Sequence, residues 1–319
     1  MTEFSIRGFK PSDYPSLTQV HDSLFPNRPY FPKRVEYEDS CYGRTRYQMK
    51  RFVAETTSGQ VVGFGEYKHL FFQFHPRRFG IDVMVLQEWQ KMGVGGVLYD
   101  KVVEELARAG AETASPLVLS TQEPAIKFLR KRGFVEKRRS IESRLDLEGF
   151  NSTESTRFSE KLEGEGIAIS SFSSESRKDP SAGKKLKELE DSGAADVPGA
   201  IADDLMSFHD YEVIVLKSPI VIWDGTFVAK RGEAYVGESS LLESGVDGLI
   251  DQGFTVVRPG YRGRHIAQAV KLRAAMYAKN KGARYIRTYN DSENHPMLAV
   301  NRKMGFERQA EWVVFEKKL

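Results

Sequence analysis

Two short runs stand out for the chemistry their residue types allow: Gln90-Lys91-Met92-Gly93-Val94-Gly95-Gly96 and Arg262-Gly263-Arg264-His265-Ile266-Ala267. Each follows a short apolar run, Ile81-Asp82-Val83-Met84-Val85 or Phe254-Thr255-Val256-Val257, and each opens a stretch of helical periodicity. Glycines at a helix start let the backbone bend sharply and let a ligand approach without meeting a Cβ. The first N–H groups of the helix lack intrahelical partners and lie at the positive end of its dipole. That combination binds phosphate. It does so here without the lysine and Ser/Thr of a Walker motif and without the GxGxxG of a dinucleotide fold.

The elements that must hold these turns recur as well. A Gly-Phe pair follows each turn, Gly133-Phe134 and Gly305-Phe306, and the intervals 90 to 262 and 133 to 305 are both 172 residues. A shared interval between landmarks indicates a duplicated fold. In the first half, Phe4 to Phe9 reads as a strand, with Ser12 or Asp13 as N-cap of the helix after it. Three prolines in Phe25 to Pro32 forbid regular structure, so this aromatic stretch is a packed lid or a substrate wall. Arg51 to Glu55 and Gln60 to Tyr67 form a hairpin through Ser58-Gly59. Val94, Leu98, Val102 and Leu106 share one helical face, and Gly110 ends that helix. Pro116 to Ser120 is a strand, Ala125 to Arg132 a helix, and Ile141 to Leu147 a strand that closes the first domain.

The second half repeats the order: a strand at 166–169, a helix around Lys184 to Leu189, and a hairpin from Thr226 to Gly237. The strand into the second turn, a helix from Ile266 to Lys281 and a strand at Tyr285 to Thr288 follow. Ser170 to Lys187 is low in apolar residues and reads as a mobile surface segment running into a solvated helix. The expected fold is α/β, of the α+β mixed-sheet kind, in two tandem domains at 1–150 and 151–319.

Composition bounds the function. A chain of 319 residues can bury two cores. A net charge of +3 gives no electrostatic footprint for nucleic acid. The single Cys41 excludes an intramolecular disulfide and fits a reducing, cytoplasmic compartment. The sequence has no signal peptide and no apolar run long enough for a membrane span. His21, His69, His75, His209, His265 and His295 are scattered singly, so no metal site is expected. Ser and His lack a nucleophile-elbow context. The run Phe71 to Phe79 reads as a packed aromatic loop beside a cleft.

The form Gln/Arg-x-x-Gly-x-Gly/Ala after a strand ending in Val, and then a Gly-Phe pair, resembles the acyl-CoA-binding core of the GNAT acetyltransferases. Gln90, Gly93 and Gly95 match the first motif; Arg262 and Ala267 match in the second, where His265 replaces the usual glycine. The family often has Asn-x-x-Ala-x-x-Phe-Tyr ahead of its Gly-Phe. Asn294 supplies the asparagine in the second half, and Asn301 replaces the tyrosine; in the first half Leu129 replaces it.

The resemblance implies that acetyl-CoA is the cosubstrate and that the acceptor is a primary amine of an unidentified small molecule. Backbone N–H groups of Lys91, Met92, Gly93, Val94, Gly95 and Gly96, and of Gly263, Arg264, His265, Ile266 and Ala267, would hold the pyrophosphate. The pantetheine arm would pair with the strand ending at Met84-Val85 or at Val256-Val257, and a main-chain N–H there would bind the oxyanion. An amine of pKa about 10.4 is neutral only to roughly one part in 10³ at pH 7, so a general base helps. The strand carboxylates Glu66, Asp82 and Glu238 are the candidates. Glu238 falls opposite Glu66 on the interval of 172, or opposite Phe64 if the hairpin glycines Gly63 and Gly237 are matched. The intact first turn favours CoA in the first half. A non-catalytic CoA sensor or scaffold of two degenerate domains is the alternative, and a monomer or homodimer fits either.

Overall fold

The computed structural model describes residues 3–150, 153–194 and 205–319. The chain runs β1 (Phe4–Gly8), α1 (Tyr14–Leu24), α2 (Pro32–Tyr42), β2 (Met49–Thr56), β3 (Val61–Lys68), β4 (Arg78–Val85), α3 (Val94–Arg108), β5 (Thr113–Ser115), β6 (Leu117–Leu119) and α4 (Glu123–Lys131). It continues with β7 (Val135–Asp146), α5 (Thr153–Gly164), β8 (Ala168–Ser171), α6 (Phe172–Lys178), α7 (Ala182–Asp191), α8 (Phe208–Tyr211), β9 (Phe227–Arg231), β10 (Ala234–Glu243) and β11 (Leu249–Val257). Last come α9 (Ile266–Asn280), β12 (Tyr285–Asp291), α10 (His295–Lys303) and β13 (Glu307–Lys318). Two compact units result: Met1–Arg138 with Trp312–Leu319, and Arg139–Glu311.

In unit 1, β1 to β4 form an antiparallel meander, and β4 then runs parallel to β5. The sheet is completed from the far end of the chain: Lys317 and Lys318 of β13 pair with β5, and Trp312 to Val314 pair with β6. The α3 face expected from periodicity buries Val94, Leu98, Val102 and Leu106 on this sheet. A Cβ at Gly63 of β3 would lie 2.7 Å from the Met84 carbonyl oxygen and 3.2 Å from Leu98, so only glycine admits that approach. Pro32 is the first residue of α2, where its missing N–H costs nothing, so the proline-rich stretch ends by starting a helix.

In unit 2, β8, β9, β10 and β11 form the antiparallel part, β12 lies parallel to β11, and Ser140 to Asp146 of β7 pair with β12. The strand expected to close the first half thus closes the second unit, and the two units are not the contiguous halves 1–150 and 151–319. Side-chain fit explains the exchange. Leu145 and Leu147 bury in the core with Ile286 and Phe306, whereas Val313 and Phe315 bury in the core with Phe79 and Phe134. Ser170 to Lys187 also departs from expectation. Its few apolar residues, Phe172, Ala182 and Leu186, join Leu189, Val228, Tyr235 and Val256 in a third cluster that pins α6 and α7 to the sheet.

Candidate functional site

The two glycine turns have the same backbone. Lys91 (φ 63°) and Gly93 (φ 92°) are left-handed in the first turn, as are Gly263 (φ 76°) and His265 (φ 65°) in the second. Each pair keeps the interval of 172, and each turn places one side-chain-bearing residue in a region that costs about 1–2 kcal/mol for an L-residue. The N–H groups of Lys91, Met92 and Gly93, and of Gly263, Arg264 and His265, make no main-chain hydrogen bond among the described residues, so both turns present donors. His265 lies 5.2 Å from the Phe158 ring in a stacked arrangement and bonds Gln268 Oε1 at 2.6 Å.

Gln90 and Arg262 have a common task that the sequence did not reveal. Gln90 Nε2 donates to the Val85 carbonyl at 3.1 Å, and Arg262 Nε to the Val257 carbonyl at 3.1 Å. Each ties its turn to the last residue of the strand before it.

Both of those strands have an open edge. β4 pairs with β5 only from Arg78 to Gly80, and β11 with β12 only from Leu249 to Asp251. Beyond these points the parallel neighbours part. The N–H groups of Leu86 and Arg258 donate to Val62 and Val236, on the hairpin side. Alternation along an antiparallel ladder then turns the N–H of Val85, and those of Thr255 and Val257, toward the open edge. Met84 and Val256 point theirs the other way.

In unit 2 the turn and the open edge border a cavity of about 560 Å³. Thr255, Val256 and Val257, the turn residues Arg262, Gly263, His265, Ile266 and Ala267, and Asn294 with Val300 of the α10 region line it. Asn294 caps α10 by accepting from Met297 N at 3.2 Å. Asn301 is 2% exposed and donates to Asn290 Oδ1 at 2.6 Å, while its own Oδ1 has no partner among the described residues. At the corresponding place in unit 1, Arg132 lies 3.5 Å over the Phe128 ring, and its guanidinium would sit 3.6 Å from a Cβ on Gly96.

The strand carboxylates divide sharply. Glu66, 3% exposed, accepts from Arg51 Nε and from Lys68 Nζ at 2.5 Å, and Arg51 also bonds Asp39 at 2.6 Å. Burial would raise the Glu66 carboxyl, but Lys68 and Arg51 outweigh it and hold it down to about 2. Asp82, 3.5 Å from Lys68 Nζ, goes up instead, through burial and the Glu66 charge, against the pull of Lys68. These groups line a second cavity, of about 190 Å³, with Tyr30, Tyr42 and Met84.

Glu238 is 1% exposed on β10. The ladders pair Gly237 with Val257 and Glu238 with Val256, as they pair Gly63 with Val85 and Phe64 with Met84, so Glu238 stands where Phe64 does. Its Oε2 is buried without a hydrogen-bond partner among the described residues, and its charged neighbour is Glu190 of α7. Burial, then the Glu190 charge, pushes Glu238 well above the usual carboxylate range, and burial lifts Glu190 to about 7. Tyr211 donates to Glu190 Oε1 at 2.6 Å. Sequence reading missed Glu190 and Tyr211, because the helix that carries Glu190 reads as solvated. No group of metal-ligating side chains occurs among the described residues, and no described helix is long and apolar enough to cross a membrane.

A mixed sheet whose open-edged strand leads into a glycine turn, built twice in one chain, defines a tandem acyltransferase fold. The chain belongs to the acetyltransferase (GNAT) family, whose model matches residues 15–134 and again 201–306. It is similar to a tandem GNAT protein from the clavulanic acid biosynthesis pathway, solved without AcCoA (16% identity, 99% of this chain and 98% of that one, TM-score 0.75). It is also similar to a GCN5-related N-acetyltransferase from Sphaerobacter thermophilus (16%, 99% and 95%, TM-score 0.73). A GCN5-related glucosamine N-acetyltransferase region of a fungal multi-domain GH3 β-N-acetylglucosaminidase matches at 15% identity, over 99% of this chain and 38% of that one, with TM-score 0.71. At these identities the likeness is one of fold. No curated protein matches the chain in sequence.

Proposed function

We propose that the protein transfers an acetyl group from acetyl-CoA to the primary amine of a small-molecule acceptor, and that unit 2 binds the CoA. The carrying observation is the cavity of about 560 Å³ that joins the second glycine turn to the open edge of β11. The N–H groups of Gly263 to His265 suit the pyrophosphate. The edge from Thr255 to Val257 suits the pantetheine arm, as an added strand. CoA supplies the activated thioester. The amine nitrogen attacks its carbonyl carbon, the oxyanion takes hydrogen bonds from edge-facing N–H groups, and the C–S bond then breaks to release the thiolate.

The acceptor must lose a proton. Glu190, lifted by burial to about 7 and joined to Tyr211 at 2.6 Å, is the candidate in unit 2 with a proton affinity near neutral pH. The ion-paired Glu66 is a weak base, and Asp82 is the corresponding candidate in unit 1. The non-catalytic alternative draws on one specific observation: Leu129 and Asn301 stand at the tyrosine position, and neither can protonate a leaving thiolate.

Calorimetric titration of acetyl-CoA tests the proposal. One site per chain is expected, lost in Gly263→Asp and kept in Gly93→Asp. Absence of binding at millimolar ligand overturns it, and binding without thiol release across a panel of amines selects the non-catalytic reading.

A further inference from the structure

Lys271 lies in the middle of α9, 1% exposed, and the proposed chemistry makes no use of it. Its Nζ sits 5.1 Å over the Phe306 ring, with no ion pair among the described residues. Burying an amine this way is costly, and burial pushes it down to about 7. Methionine would fill the same space without that cost, so the polar end calls for an explanation.

The amine starts a chain of hydrogen bonds that ends at the cavity. Lys271 Nζ donates to Gln252 Oε1, and Gln252 Nε2 donates to Ser239 Oγ at 2.7 Å. Ser239 Oγ lies 3.0 Å from Thr255 Oγ1, and Thr255 lines the cavity on the open edge of β11. An ammonium only donates, which fixes the Gln252 amide with its oxygen toward Lys271 and its nitrogen toward Ser239. The Ser239 oxygen is then an acceptor, and because Ser239 is fully buried with Thr255 Oγ1 its only other side-chain partner among the described residues, its hydrogen is assigned to Thr255. The Thr255 oxygen accepts in turn, and its own hydrogen is left for the cavity. Unit 1 has Tyr99, Gly65 and Val83 at the positions matching Lys271, Ser239 and Thr255, so no such chain can form there.

We propose that Lys271, acting through Gln252 and Ser239, sets Thr255 as a hydrogen-bond donor to a carbonyl oxygen of an acyl-pantetheine chain lying along β11. The inference rests on the reading that unit 2 binds acyl-CoA. Thr255 touches the ligand; Lys271, Gln252 and Ser239 are positioning residues. The carbonyl belongs either to a pantetheine amide, present in CoA and acetyl-CoA alike, or to the thioester, present only in acetyl-CoA.

The test is calorimetric titration of CoA and of acetyl-CoA at pH 6, where the amine is charged, with unfolding midpoints measured alongside. Thr255→Val is expected to weaken acetyl-CoA about tenfold, and Thr255→Ser to recover most of that loss. A loss confined to acetyl-CoA assigns the thioester, and an equal loss for CoA assigns a pantetheine amide. Gln252→Glu is nearly isosteric but only accepts, so it reverses the chain and turns a Thr255 lone pair toward the cavity. It should weaken binding at least as much as Thr255→Val with the midpoint kept, an effect a packing role would not produce. Should that variant not fold, a double-mutant cycle of Ser239→Ala with Thr255→Val decides, and clear non-additivity is expected. Wild-type affinity in Thr255→Val, or in folded Gln252→Glu, or an additive cycle, overturns the inference. A wild-type protein that binds neither ligand overturns the acyl-CoA reading itself.

Discussion

Replacing Glu66 with glutamine separates a stabilising carboxylate from a catalytic one. Glu66 is 3% exposed and accepts from two cations, Arg51 and Lys68. Held at about 2 instead of an ordinary 4.5, its carboxylate contributes about 3 kcal/mol to folding at neutral pH. Removing one partner of a buried ion pair costs about 3–5 kcal/mol by mutational precedent, so the two routes agree. Because the folded-state value is depressed, the contribution is complete above pH 4.5 and is lost as pH falls toward 2. Urea unfolding of wild type and Glu66→Gln, at intervals from pH 7 to pH 2.5, is the assay. Unit 1 of the variant should be less stable by about 3 kcal/mol at pH 7, and the gap should close on acidification. A gap below about 0.5 kcal/mol at pH 7, or one that does not vary with pH, would refute the ion-pair account.

The matched turns make a paired prediction. A Cβ at Gly93 or Gly263 meets nothing within 4 Å, so alanine there costs only its left-handed backbone, about 1 kcal/mol at either site by thermal unfolding. A loss well above that at either site would show a contact that the open surroundings do not account for. Glu190 makes a pH prediction of opposite sign. Its folded-state value is raised to about 7, so its contribution is complete below pH 4.5 and is lost as pH rises through 7. Glu190→Gln should be more stable than wild type at pH 8, and an unchanged stability-pH curve would argue against a raised Glu190 carboxyl.

Much of this was legible because certain residues can be placed by only one kind of backbone. Gly93 and Gly263 adopt left-handed angles, and Val94, Leu98, Val102 and Leu106 bury on one face, as their spacing indicates. What escaped depends on partners far away in sequence. The alternation of Ile141 to Leu147 marks a strand but not which β-edge it joins, and that choice rests on packing with Ile286 and Phe306. α7 looked solvated because Ala182, Leu186 and Leu189 are few, yet all three are buried, and Glu190 travels with them. Glu66 read as a base because sequence shows a carboxylate on a strand and not the Arg51 and Lys68 that neutralise it. Lys271 carried no signal beyond a charge in a helix.

The path of β13 sets an order in time. Unit 2, at 139–311, is contiguous and has all of its strands once residue 311 has left the ribosome. Unit 1 begins first but waits: β5 and β6 find their partner only when residues 312–318 appear. At roughly 5–20 residues per second, some two hundred residues of synthesis amount to about 10–40 s. During that interval the first-made sheet keeps a bare edge, the kind of surface to which a chaperone or another nascent strand is drawn. The half that is translated first is therefore the last to be finished.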